Sequence, residues 1–348
     1  MRFLLYPFSL MYRIVIDIRN FLFDINIFKS KRYNIPIICV GNITAGGTGK
    51  TPHTEYILSL LSDKKTAVLI RGYGRKTSGL LLVETNSESE KVGDEPLQIK
   101  QNFPNTIVVV SENRRIGIEK ILDSYPETEV IIMDDGFQHR WVKAGMYIAL
   151  NNYENPIYSD YLIPMGRLRE SKNALRRANI IITTKCSEIS PTEKKGIISN
   201  LNTFASQKNY FSYIVYQNLK SVFTQEKTET PNNYNITLLT SIANADNLKQ
   251  HLQKNGNTVH HLSFPDHHNF TPKDIANILL EYKTSISDKN IILTTEKDKV
   301  KLLKYKEHFE GIKLYFSPIE INIDNSEEFN NEITNYVTEH KRKRKFHQ

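Results

Sequence analysis

The sequence predicts an α/β fold: a mostly parallel sheet sandwiched by helices, with a smaller C-terminal α/β domain and an amphipathic helix in front. Three observations predict it. From residue 36, short apolar runs alternate with helix-length stretches. The runs are near-continuous rather than alternating, as in strands buried on both faces of a parallel sheet. A glycine-rich loop, 41-GNITAGGTGKTPH-53, joins the first run to a helix.

The chain of 348 residues is long enough for two domains. Its 39% hydrophobic and 24% charged content belongs to a folded protein rather than a disordered one. A formal net charge of +8 favours an anionic partner: nucleic acid, an anionic membrane surface or a phosphorylated substrate. Cys39 and Cys186, far apart, give neither a disulfide framework nor a Cys-based zinc site and fit a reducing cytoplasm.

The first element, residues 1–30, is read as an amphipathic helix. Its stretch 3-FLLYPFSLMY-12 resembles a signal-peptide core, yet Arg13, Asp17, Arg19 and Asp24 follow and no small-residue cleavage pattern appears. No uncharged run reaches the roughly 18 residues that span a bilayer. Arg13, Asp17, Asn20 and Asp24 fall on one side of a helix, and Ile14, Val15, Ile16, Ile18, Phe21, Leu22 and Phe23 cover most of the rest. Two readings fit: a helix lying in a membrane surface, or an ordinary helix packed on the domain.

Residues 31–216 form the first domain. Strands are expected at 36–40, 67–70, 107–110, 130–133, 146–150 and 180–183, and helices at 50–62, 94–102, 113–124 and 187–206. The polar stretch 217–235 reads as a linker. A second domain, 236–338, carries strands at 236–239, 258–262, 290–294 and 312–316. The tail, 339–348, holds 341-KRKRK-345 and reads as disordered: a solvated basic end, with contact to anionic lipid or nucleic acid as the alternative.

The loop Thr44-Ala45-Gly46-Gly47-Thr48-Gly49-Lys50-Thr51 sits between a strand and a helix, which makes the fold P-loop NTPase-like. Glycines let backbone N–H groups turn toward phosphate oxygens, and the helix N-terminus adds partial positive charge. In this pattern Lys50 reaches the β- and γ-phosphates of a nucleotide and the Thr51 hydroxyl binds Mg²⁺. Thr44 stands where the usual pattern has glycine. In 130-VIIMDDGFQH-139, Asp134 and Asp135 end an apolar strand at the sheet edge where ligands bind. A carboxylate there holds Mg²⁺ or its water.

Two classes of phosphate-loop protein then compete. A membrane-associated ATPase switch uses a similar loop and an amphipathic helix, but carries lysine directly before the paired glycines, where this chain has Ala45. A small-molecule or lipid kinase needs an acceptor site and a base. The loop, followed in order by 71-RGYGR-75, 92-VGDEP-96, 111-SENRR-115, 134-DDGFQH-139, 164-PMGRLRE-170, 264-FPDHHNF-270 and 294-TTEKDKVKL-302, resembles the tetraacyldisaccharide 4′-kinase family of lipid A biosynthesis over almost the whole chain. Departures are Ser241, where similar enzymes usually have glycine, and Met165 and Arg167, where small residues or proline are common.

The resemblance implies ATP-dependent phosphorylation of the 4′-hydroxyl of a lipid A disaccharide precursor, with Mg²⁺. It places the enzyme at the cytoplasmic face of the bacterial inner membrane, against an anionic surface, with no nucleic acid and no obligatory protein partner. Asp94, which also suits helix capping, matches the family's base. His267 matches its partner, with His268 the neighbouring alternative. Asp134 or Asp135 serves Mg²⁺, and Glu170 is a further metal candidate. Arg71, Arg75, Arg114 and Arg115 are candidates for phosphate or sugar. Glu95, Gln138 and His139 are read either as site structure or as local hydrogen bonding.

Overall fold

A computed structural model describes residues 2–284 and 289–346. Helix α1 (Tyr6–Asp24) precedes a first lobe. That lobe comprises β1 (Ile37–Gly41), α2 (Lys50–Leu60), β2 (Thr66–Ile70), β3 (Leu81–Leu82), α3 (Ser89–Val92), α4 (Asp94–Asn102), β4 (Ile107–Val110), α5 (Arg114–Ser124), β5 (Val130–Asp134), β6 (Met146–Asn152), β7 (Ile180–Thr184), α6 (Pro191–Leu201) and β8 (Lys208–Tyr216). The second lobe holds β9 (Leu219–Ser221), β10 (Lys227–Thr228), β11 (Asn235–Thr240), α7 (Asp246–Lys254), β12 (Thr258–Ser263), α8 (Pro272–Thr284), β13 (Asn290–Thr295), α9 (Glu296–Leu302) and β14 (Leu314–Ser317). The chain then returns to the first lobe as β15 (Ile319–Ile323) and α10 (Ser326–Phe346).

Among the described residues, one sheet has the order β15-β8-β7-β6-β1-β5-β2-β4-β3 and the other β10-β9-β14-β13-β11-β12. In the large sheet only the edge strands β15 and β3 pair antiparallel. Every residue of β1, β2, β5 and β7 is buried, which is why they appear in the sequence as unbroken apolar runs. β1 lies between β5 and β6: the chain leaves β1 toward β2 on one side, and the connection from β5 passes β1 to build β6, β7 and β8 on the other. This is the switch point at which α/β sheets open a crevice.

The structure corrects the domain boundaries. The expected linker 217–235 contains β9 and β10, both paired into the second sheet. The expected second domain 236–338 ends early, because β15 pairs antiparallel with β8. Phe329, Ile333 and Val337 of α10, one per helical turn, join the first-lobe core beside Ile57, Leu58 and Tyr210. Tyr336 fastens α10 further: its Oη accepts the Ile37 N–H at 3.1 Å. Over the expected tail 339–348, α10 continues through 341-KRKRK-345 to Phe346; residues 347 and 348 lie outside the described residues. The helix expected over 187–206 is shorter, capped by Ser190, whose side chain accepts the Glu193 N–H, and ended by Asn202 in the left-handed region.

Helix α1 packs on the domain along one face and leaves the other exposed. One face docks on the first lobe. The Ser9 hydroxyl donates to Leu162 O and the Tyr12 hydroxyl to Arg169 O, Arg19 donates to Gln138 O, and Phe23 is buried against Phe28 and Trp141. The other face leaves Phe8, Met11, Ile14, Val15, Ile18 and Phe21 exposed. Among the described residues no helix is long and apolar enough to cross a membrane.

Candidate active site

The phosphate loop is held by its own side chains. Gly49 caps α2 at φ 85°, a conformation that a residue with a Cβ rarely adopts. Asn42 Nδ2 donates to Thr44 Oγ1 at 3.2 Å and to Thr48 Oγ1 at 2.7 Å. Thr44 is therefore buried and bonded within the loop. The Ala45 N–H donates to Arg167 O at 2.7 Å. Burial lowers the His53 pKa to about 4. The neutral ring places Nδ1 2.7 Å from Gly49 O and Nε2 2.9 Å from Ser212 Oγ, which pins the end of the loop.

The parallel register sets Asp134, the last residue of β5, opposite Val40 of β1, directly before the loop. Asp134 is fully buried and neither carboxylate oxygen has a hydrogen-bond partner. Burial first, then the charge of Glu95, pushes its pKa up to about 8. An open, buried carboxylate beside a phosphate loop is what a hard divalent cation requires. Mg²⁺ fits such a site, and Asp134 and Thr51 are the residues that would hold it.

Asp135 adopts φ 50° and faces the basic side chains. Its Oδ1 lies 3.0 Å from Arg169 Nη2 and 3.8 Å from Lys50 Nζ. Burial acts to raise its pKa, but Lys50, Arg169 and Arg114 bring it down to about 2. Glu170 is fully buried; Oε2 pairs with Arg177 and Oε1 has no partner.

Asp94 is the first residue of α4, after Gly93 at φ 99°. Gly93 occupies the cap position, so the Asp94 carboxylate is free to point outward from the helix start. It does so across the lobe interface: Oδ2 lies 3.2 Å from Lys301 Nζ and 3.4 Å from His267 Nδ1. Lys301 is buried and also reaches Ser241 Oγ at 2.7 Å and Asp298 Oδ1 at 3.1 Å. Asp298 in turn accepts from the Ser241 N–H and hydroxyl and from the Thr295 hydroxyl. Ser241 thus ties this buried cluster together. His267 Nε2 lies 3.0 Å from Lys297 Nζ, and Lys297 also contacts Glu95 at 3.2 Å. The Tyr73 ring meets His267 edge-on at 5.1 Å. Gly72 lets this loop approach, since a Cβ there would fall 2.3 Å from Val110 Cγ1. His268 faces elsewhere, 3.0 Å from Asp274. Geometry therefore separates the two histidines.

Two hollows meet at Lys50 and Asp135. A cleft between the lobes runs from Gly47–Thr51 past Lys297 to Tyr216, Leu248 and Ile319. A groove on the other side is lined by Tyr12 and Arg19 of α1 together with Arg71, Arg114 and Arg169. Arg75 and Arg115 are not among the residues that line this groove. Arg75 has a buried side chain, pairs with Glu112 and donates to Gly79 O, so it braces its own loop. Arg115 lies over the Trp141 ring, 5.5 Å from its centroid. Arg114 lines the groove but is buried, donating to Ser111 O at 2.8 Å and to Asp135 O at 3.3 Å. Gln138 is structural, donating to Asn42 O at 2.7 Å. Burial, followed by Arg114 and its neighbouring arginines, lowers the His139 pKa to about 4. Arg19, Arg169, Lys297, Asp298 and Lys301 had no assigned role in the sequence. Arg169 lies within the 164–170 motif and the α9 residues within the 294–302 motif, so both stretches were marked, but the α9 side chains taken singly look like ordinary surface charges.

The family model described as tetraacyldisaccharide-1-P 4′-kinase matches residues 1–338. A tetraacyldisaccharide 4′-kinase of Bacteroides fragilis (strain YCH46) is 43% identical, covering 97% of this chain and 94% of that protein. One from Flavobacterium psychrophilum is 40% identical, covering 96% of each. Among solved structures, LpxK from Aquifex aeolicus in complex with ATP is similar with a TM-score of 0.75 at 28% identity, covering 97% of this chain and 99% of that one.

Proposed function

We propose, for a chain that belongs to the tetraacyldisaccharide-1-P 4′-kinase family, an assignment of its residues to the family's reaction. That reaction is transfer of the ATP γ-phosphate to the 4′-hydroxyl of a tetraacyldisaccharide 1-phosphate, giving lipid IVA in lipid A biosynthesis. The loop amides and Lys50 hold the β- and γ-phosphates, and the cleft toward Tyr216 takes the nucleoside. Asp94 accepts the proton of the 4′-hydroxyl. The 4′ oxygen forms its bond to the γ-phosphorus, the bond from that phosphorus to the β,γ-bridging oxygen breaks, and ADP leaves with the electron pair. His267 orients Asp94. Asp134 and Thr51 would hold Mg²⁺, which would neutralise phosphate charge; Glu170, buried with one carboxylate oxygen free of partners, is a further candidate donor. Arg19, Arg71 and Arg169, beside Tyr12, bind the anionic sugar. The exposed apolar face of α1 lies in the anionic cytoplasmic face of the inner membrane, next to that groove.

The observation that carries this assignment is the meeting of Asp94, on the phosphate-loop lobe, with His267, on the other lobe. A membrane ATPase switch has no use for a base aimed at an acceptor. The test is an assay with ATP, Mg²⁺ and tetraacyldisaccharide 1-phosphate. Lipid phosphorylation lost in Asp94→Ala is the expected result. Hydrolysis stimulated by vesicles alone, with no labelled lipid, would overturn it.

A further inference from the structure

We propose that Lys297 is a positioning residue that fixes His267 as the neutral imidazole protonated on Nδ1, the nitrogen facing Asp94. The inference rests on the assignment of Asp94 and His267 as the acceptor-activating pair.

An ammonium group donates three hydrogen bonds and accepts none. Its 3.0 Å contact with His267 Nε2 therefore requires a lone pair on that nitrogen. In a neutral imidazole the proton is then on Nδ1, 3.4 Å from Asp94 Oδ2. Lys297 is held in its charged form: burial works against the charge, but Glu95, Asp266 and Asp94 together raise its pKa. A second proton on His267 would set an Nε2–H directly against the Lys297 ammonium 3.0 Å away.

Without Lys297 the balance reverses. The charged groups around His267 are Asp94 from α4, Lys297 from α9 and Asp266 from its own loop, with the Tyr73 ring alongside. Asp266 Oδ2 is 3.9 Å from Nε2 and 3.6 Å separates its Oδ1 from Lys297 Nζ. Removing the ammonium leaves Asp266 to draw a proton onto Nε2. Lys297 also settles which member of the pair takes the substrate proton. With the Nε2 lone pair occupied and Nδ1 already protonated, His267 has no free basic nitrogen, so the proton goes to Asp94.

The test is ring-nitrogen NMR of the full chain labelled with ¹⁵N-histidine, with His267→Gln identifying the signal. We expect the Nδ1–H pattern at neutral pH in the wild type. We expect it to be retained in Lys297→Arg and replaced by Nε2–H or imidazolium in Lys297→Met. Turnover of Lys297→Met falls by about 10²-fold, the low end for a positioned base, with the ATP dissociation constant unchanged. A wild-type Nε2–H pattern, or an Nδ1–H pattern that survives Lys297→Met, overturns the proposal; the wild-type spectrum decides even if the variant fails to fold. If the tautomers behave as expected but Asp94→Asn keeps full turnover, the Asp94–His267 assignment is what fails.

Discussion

In the phosphate-binding half of the site, β1, the loop 42–49, α2 and the end of β5 hold one another through contacts inside a single lobe, such as Asn42 to Thr48 and His53 to Gly49. In the acceptor-activating half, the contacts that matter cross between lobes: Asp94 to Lys301 and His267, and Glu95 to Lys297. The contacts that shape the phosphate loop lie in one lobe, although the cleft beyond it is lined by both, whereas the acceptor-activating half exists only while the lobes are apposed. Nucleotide binding and hydroxyl activation should therefore be separable by mutation.

The largest effect should come from the crossing half. Asp94→Ala and His267→Ala are each expected to lower turnover by about 10²- to 10⁴-fold, with the ATP dissociation constant unchanged. Because both act on one proton transfer, the double variant should resemble the worse single. Turnover at saturating ATP and lipid decides this, and losses that multiply would show two independent residues. His268→Ala, paired with Asp274 rather than Asp94, should be mild.

Lys50→Ala breaks the other half. We expect a loss of about 10²- to 10³-fold, because the ammonium acts mainly on charge that develops in the transition state, with an unchanged melting temperature by circular dichroism. Turnover within a few-fold of wild type would remove Lys50 from the assignment.

The contrast between the halves also governs what the sequence discloses. The phosphate loop is one contiguous strand-loop-helix segment, so its residue types and spacing lie side by side. The buried parallel strands are equally plain because both faces are apolar. β15, 319-IEINI-323, escapes because alternate residues are exposed and its partner β8 lies about a hundred positions earlier. Its return is what misplaced the second domain boundary. In 294-TTEKDKVKL-302 the lysines and Asp298 look like a solvated helix face. Tertiary packing of α9 against α4 and the second-lobe sheet buries Lys301 and Asp298, and no local pattern encodes that. The family resemblance supplied Asp94 and His267, where residue chemistry alone offered helix capping.

A third, smaller effect concerns α1. Ile14→Glu with Ile18→Glu places charge on the exposed face and spares the docked residues Ser9, Tyr12 and Arg19. We expect roughly tenfold weaker vesicle binding and unchanged nucleotide affinity. Equal co-sedimentation of the variant and the wild type would mean that this face does not meet lipid.

The smallest effect probes whether the halves are coupled through the fold itself. Glu55 on α2 and Glu296 at the start of α9 face each other across the lobes, and Asn102 Nδ2 donates to both, at 3.0 and 3.2 Å. Burial first, then Glu296, raises the Glu55 pKa to about 8 against the opposing bonds from Asn102 and Gln98; Asp134 adds to the rise. Glu296, beside Lys299 and Lys220, is raised as well, chiefly by burial. A carboxyl whose folded pKa lies above its unfolded value contributes stability that is fully present below the unfolded pKa and is lost as pH rises through the folded one. Wild-type stability should therefore decline between about pH 4.5 and 8 from this pair. Glu55→Gln keeps the acceptor oxygen used by Asn102 and Gln98 but cannot ionise, so it should match the wild type near pH 5 and exceed it near pH 8.5. Glu55 is partly exposed, which screens the effect. We expect a difference of about 1 kcal/mol, on the order of 2 °C in melting temperature. Parallel melting curves for the two proteins across that range would show that the lobes do not communicate through this pair, and would leave the Asp94–Lys301 and Glu95–Lys297 contacts as the electrostatic links at the site.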